Sequence, residues 1–190
     1  MSTRLWGAHN ALTAYRPRCP LMWAGAPVWR CQRRRPAELV ARGARLFDWR
    51  VCRRRGRWYG AHGIVTLDVN PLRELDRLIE AAGGALITVR LILERGDAED
   101  RAEFAWLCGA LETWYTALGK PVRFIGGRYK PTWERLHVFA GDDIGDAIEQ
   151  RVGSMDTRRR WGALWPWLWS RLYDSGEVGT GTRPLLRDFI

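Results

Sequence analysis

The alternation of apolar and polar positions divides the chain into short strands and amphipathic helices. Residues 5–12 read as a first strand, and residues 15–35, with Pro17, Pro20 and Pro27, read as loop. Residues 36–42 make a short helix, with Pro36 in its first turn and Gly43 just past its end. Two strands follow, residues 45–52 and 58–63, joined by a very basic turn; residues 64–69 extend the second or turn toward Asn70. Asn70 and Pro71 open a helix whose stripe is Leu72, Leu75 and Ile79, stopping at Gly83-Gly84. Residues 85–95 are a nearly continuous apolar run, the pattern of a parallel strand covered on both faces. Asp97 or Asp100 caps the next helix, with Phe104, Leu107, Cys108, Leu111, Tyr115 and Leu118 on one face. Residues 121–129 and 135–140 read as strands, and Asp142 or Asp143 as the start of a helix through Ile144, Ile148 and Val152. Strands alternating with helices predict a parallel α/β sheet.

Composition adds charge and aromatic load. The chain has 190 residues, a net charge of +10 and twelve Trp. That length suits one domain, expected to span residues 1–190. The charge favours an anionic partner: nucleic acid, an acidic membrane surface or a phosphorylated substrate. Cys19, Cys31, Cys52 and Cys108 have no metal-ligand spacing and read as free thiols. No apolar run approaches the roughly 20 residues of a spanning helix. With no signal peptide in view either, the expectation is a cytoplasmic or virion-associated protein. Residues 158–173, RRRWGALWPWLWSRLY, carry Trp161, Trp165 and Trp169 at helical spacing behind three arginines, which fits a rim element on an anionic membrane. Pro166 interrupts that spacing, so a kinked helix packed on the domain is the other reading.

The candidate chemistry gathers at residues 43–63, GARLFDWRVCRRRGRWYGAHG. Asp48 and Arg50 are two apart on a strand and share a face, with His62 near the end of the next strand. With the early Trp6-Gly7-Ala8-His9-Asn10 and the final Pro184-Leu185-Leu186-Arg187-Asp188-Phe189-Ile190, this order resembles the X-domain of phosphatidylinositol-specific phospholipases C of the bacterial, metal-independent type. The resemblance extends over residues 5–94 and the last seven, and is weak between. It implies a compact TIM-like (β/α) barrel of parallel strands, incomplete or distorted at this length, since such barrels typically take about 250 residues. It also implies a metal-independent phosphodiesterase (a phosphoric diester hydrolase or phosphorus-oxygen lyase) that cleaves a phospholipid headgroup by attack of a neighbouring hydroxyl.

In that reading His9 is the base, His62 the acid and Arg50 the phosphate clamp, because imidazole titrates near neutrality and guanidinium forks onto two oxygens. Asp48 holds Arg50 or a histidine, and Asp188 orients His9. Asn10, Glu94 and Arg128 contact the headgroup. Asn10 stands where bacterial members usually carry Asp, and resembles the calcium-dependent eukaryotic members; Asn10, Asp48 and Glu94 would be the calcium ligands. Arg50 stands where those members need an acid, so no cofactor is expected. The expected partner is an anionic phospholipid or other phosphodiester, with peripheral membrane contact and no specific nucleic acid. Relatives of glycerophosphodiesterase or sphingomyelinase D would need an E-x-D pair where Asp48-Trp49-Arg50 stands. The remaining alternative is an inactive barrel acting as a basic nucleic-acid- or membrane-binding or virion structural protein.

Overall fold

The computed structural model describes residues 5–141, 148–151 and 185–187. Strand β1 is Trp6–Ala8, shorter than the expected 5–12, because Asn10 takes left-handed backbone (φ 46°) and residues Ala11–Ala14 wind into a 3₁₀ turn. The segment expected to be loop holds a second 3₁₀ stretch at Pro20–Gly25 and one helical turn, α1, at Ala26–Trp29. Helix α2 is Pro36–Ala41, followed by Gly43 at φ 93°. Then come β2 (Leu46–Arg54), β3 (Arg57–His62) and β4 (Val65–Leu67), an antiparallel meander in which residues 65–67 are a strand of their own. Helix α3 (Pro71–Ala81) starts as its sequence predicts: Asn70 Oδ1 accepts from the Leu72 and Arg73 amides. Strand β5 (Ile87–Leu93), helix α4 (Ala98–Ala117, capped by Asp97) and strand β6 (Val122–Tyr129) follow.

Two expectations fail beyond this point. The strand read at 135–140 shrinks to β7, Glu134–Arg135, which pairs antiparallel with β6. Where a helix was read through Ile148, residues Glu149–Arg151 form β8, because parallel pairing to β9 (Leu185–Arg187) overrides the local helical period.

The described strands form one mixed sheet in the order β7-β6-β5-β2-β1-β9-β8, with β3 and β4 branching from β2. Its central strands run parallel, and β9 lies beside β1. The sheet is open along this path, so a closed barrel is not among the described residues.

The two faces of the sheet do different work. Phe47, Trp49 and Val51 of β2 and Val89, Leu91 and Leu93 of β5 join the large core with Leu75, Leu78, Phe104 and Leu107 of α3 and α4. The alternate positions face the other side, in register: Leu46 with Thr88, Asp48 with Arg90, Arg50 with Ile92. At the N-terminal ends that inner face is closed by a small apolar cluster of Leu46, Ile125 and Leu186. Toward the C-terminal ends it becomes polar, and there buried Asp48, Arg50, Arg90 and Glu94 meet.

Candidate functional site

Local geometry explains how residues far apart in sequence converge here. Gly7 pairs with Leu46 so closely that a Cβ on it would lie 1.5 Å from the Leu46 carbonyl oxygen. Strand alternation then puts His9, two residues on, beside Asp48. Because β1 ends at Ala8, the edge of β2 beyond it is open to β3. The turn between β2 and β3 uses Arg55 (φ 50°) and Gly56 (φ 70°), the positive-φ pair that matches hairpin twist. The chain therefore folds back and returns His62 to the level of Arg50. Arg50 itself is mid-strand; its strand outruns its parallel neighbours, pairing with β1 as far as Phe47 and with β5 as far as Val51.

Arg50 is the hub and is buried, at 4% exposure. Its Nε donates to Asp48 Oδ2 at 2.8 Å, Nη1 lies 3.4 Å from Glu94 Oε2, and Nη2 is 2.9 Å from His9 Nε2. Guanidinium only donates, so His9 Nε2 receives that bond with its lone pair and the ring proton sits on Nδ1. Asp48 Oδ2 also accepts from the Asn10 backbone amide at 3.2 Å and lies 3.7 Å from His9 Nε2. Its Oδ1 faces Arg90 Nη1 at 3.9 Å. Burial alone pushes the Asp48 carboxyl up, but Arg50, Arg90 and His9 outweigh it and hold the group well below the usual carboxylate range. Burial opposes charge on Arg50 as well, and Asp48 and Glu94 more than restore it.

Asn10 is buried and structural in posture. Its amide nitrogen lies 3.4 Å from His9 Nδ1 and 3.3 Å from Cys31 Sγ, while its Oδ1 has no hydrogen-bond partner among the described residues. Rotating that amide by 180° would present the oxygen to the His9 Nδ1 proton and leave the Asn10 NH2 in the position that now has no partner. Gln32 Nε2 donates to the His9 carbonyl at 3.0 Å.

Glu94 bridges the cluster to its rim. Oε1 accepts from the Gly63 amide and from Lys130 Nζ, each at 2.6 Å. Burial raises the Glu94 carboxyl, and Arg50 and Lys130 reverse that and lower it. His62 Nδ1 bonds the Trp29 carbonyl oxygen, which only accepts, so the proton is on Nδ1 and Nε2 has the free lone pair. Burial, then repulsion from Arg50, lowers the His62 imidazole to about 4 against an attraction from Glu94; His9 and Lys130 add to the repulsion. A resting His62 is therefore neutral at pH 7.

His9, Asn10, Asp48, Arg50, His62 and Glu94 thus come together. Arg128 does not join them through the contacts seen: its Nη1 donates to the Trp133 carbonyl at 3.1 Å. Asp188, Trp161, Trp165 and Trp169 lie outside the described residues. Sequence reasoning missed Arg90, Lys130 and the Trp29 carbonyl. Arg90 did leave a signal, a single charge inside the apolar run ITVRLIL, which burial obliges to find a counter-charge. Among the described residues no group of three or more His, Cys, Asp or Glu gathers as metal ligands. The position between Asp48 and Glu94 is filled by the Arg50 guanidinium.

No family model matches the chain, and no curated protein matches it. Among solved structures it is similar to the phosphatidylinositol-specific phospholipase C from Listeria monocytogenes, with a TM-score of 0.63 and 12% identity over 97% of this chain and 87% of the other. At that identity the likeness establishes a shared fold, a phospholipase C-like α/β arrangement.

Proposed function

We propose that the chain is a phosphodiesterase that cleaves a phospholipid headgroup, phosphatidylinositol by preference, through attack of a hydroxyl adjacent to the phosphodiester. One observation carries this reading: a buried guanidinium touches the lone-pair nitrogen of one imidazole and lies close enough to a second to repel its protonated form. That is the set a phosphoryl transfer needs, with a base, an acid and a fixed positive charge.

His9 takes the proton of the attacking hydroxyl on Nε2. Arg50 leaves His9 to fork onto the phosphoryl oxygens, while Asp48 and Glu94 keep its stem and charge in place. His62 protonates the leaving oxygen. It is neutral at rest, so the substrate charges it: an arriving phosphate anion offsets the Arg50 repulsion and raises the imidazole. Asn10 and Asp48 set the angle of the His9 ring, and Asp188 is proposed as a further support for it. Glu94 and Arg128 are proposed to bind the headgroup hydroxyls, with Lys130 beside Glu94 as part of that contact.

Calcium is not part of the scheme. The carboxylates it would bridge are already joined through Arg50, and a second cation beside that guanidinium would be repelled. The Trp-rich segment at 158–173 is proposed as the membrane rim.

The test is incubation with phosphatidylinositol vesicles in the presence of a calcium chelator. Wild-type protein releases headgroup in chelator, and His9→Ala and His62→Ala each lose about 10²–10⁴-fold in rate. Full activity in both variants, or loss of wild-type activity with chelator, would overturn the assignment.

A further inference from the structure

Outside the histidine cluster, the β2–β3 hairpin and the loop before it enclose a concave cavity of about 890 Å³, lined by Arg18, Arg54, Arg55, Arg57, Tyr59 and Ile64 among others. Among the described residues no carboxylate lines it. The arginine run before the turn is divided by this arrangement. Arg53 is paired, at 2.7 Å from Glu99 and 3.7 Å from Asp100, while Arg54 and Arg55 turn to the cavity.

Arg54 and Arg57 are direct cross-strand partners, a like-charged pair that costs stability in a hairpin. The turn residue Arg55 has φ 50°, where Asn or Gly is usual. Arg18 lies with its guanidinium 4.4 Å above the Tyr59 ring. The wall that carries Arg18 is strapped down: the Arg18 amide donates to the Thr66 carbonyl at 2.8 Å, and the Asp68 amide to the Arg16 carbonyl at 2.6 Å. Thr66 Oγ1 in turn accepts from Arg95 Nη2 at 2.6 Å. The charges are therefore gathered on a braced, concave wall.

We propose that this cavity is a second anion site, separate from the catalytic cluster, for compact phosphate groups of high charge: a phosphate monoester or a pyrophosphate. Four guanidinium groups around one hollow offer forked hydrogen bonds to a multiply charged phosphate group. A nucleic-acid backbone carries single charges spread along a line, which a stripe of arginines suits better than a hollow. The like-charged pair at Arg54 and Arg57 is then explained, because its mutual repulsion is relieved when the anion binds. The same phosphate chemistry is offered by a soluble metabolite or by phosphatidic acid in a bilayer.

The test measures binding and needs no turnover, so it stands or falls apart from the phosphodiesterase reading. The wild-type chain, Arg54→Gln/Arg57→Gln and a charge-matched control, Arg42→Gln/Arg73→Gln at exposed positions just past α2 and within α3, are compared in moderate salt. One arm titrates pyrophosphate by calorimetry; the other measures cosedimentation with phosphatidylcholine vesicles containing phosphatidic acid. The cavity double variant loses at least about tenfold in affinity in one arm or both, the control changes less than about twofold, and the thermal midpoint of the cavity variant does not fall. Loss with pyrophosphate assigns a soluble ligand, and loss with vesicles alone assigns the lipid. No binding in either arm, equal loss in the two double variants, or tighter binding of single-stranded RNA than of either probe overturns the proposal.

Discussion

Arg50 shows how strongly one side chain can fix its neighbours: Asp48, Glu94 and His9 all take its donors, and each is buried. Breaking such a pair leaves uncompensated charge inside the protein. Asp48→Asn is therefore expected to cost about 3–5 kcal/mol, read from urea unfolding, because the Asp48 charge that both Arg50 and Arg90 face is removed, leaving Glu94 beside Arg50. The pH dependence follows from the same contacts. Asp48 is held below its unfolded value, so its contribution is complete above about pH 4 and is lost as pH falls below it. His62 adds a loss at higher pH. Its folded value of about 4 lies under the unfolded 6.5. Protonation thus favours the unfolded chain, and stability declines as pH drops from about 6.5 toward 4. Histidine NMR titration is expected to find the His62 ring still neutral at pH 5.5, and His62→Gln is expected to flatten the stability curve between pH 6.5 and 4. A His62 midpoint near 6.5 would contradict the desolvation argument.

The element that makes the site is the β2–β3 hairpin, and β1 is its necessary partner. Gly7 is the contact on which their register depends, since the Leu46 carbonyl occupies the space of any side chain there. Gly7→Ala is expected to cost at least about 3 kcal/mol by thermal or urea unfolding and to displace His9. An Ala at this position with wild-type stability would place β1 elsewhere. Much at this scale was legible in advance. Asn70-Pro71 named its helix start, the apolar run at 87–93 named its buried strand, and the Asp48-x-Arg50 alternation put both groups on one face. Partner-dependent features were not legible. Residues 149–151 are a strand only because β9 lies beside them. The left-handed backbone at Asn10 ends β1 early because the Asn10 amide must reach Asp48, 38 residues away. Trp29, in a stretch that reads as loop, holds His62 through a backbone carbonyl, a group with no sequence signature.

For the whole molecule, the order His9, Asp48 and Arg50, then His62 was legible in the sequence, and the fold brings these side chains together. Arg90 and Lys130 had no motif to announce them, since Arg90 reaches the cluster from β5 and Lys130 from the turn just past β6. The described sheet is open, yet parallel β1 and β2 together with antiparallel β3 bring His9, Arg50 and His62 to one end. No helix among the described residues is long and apolar enough to cross a membrane. The central claim is that a neighbouring hydroxyl, not water, attacks phosphorus under the control of His9, Arg50 and His62. Phosphorus-31 NMR of the wild-type reaction on phosphatidylinositol tests it most directly. A five-membered cyclic inositol phosphodiester as the first product, lost by at least about a hundredfold in rate in Arg50→Lys, is the predicted result. A linear inositol phosphate appearing first, or no phosphorus product from folded protein, would contradict it.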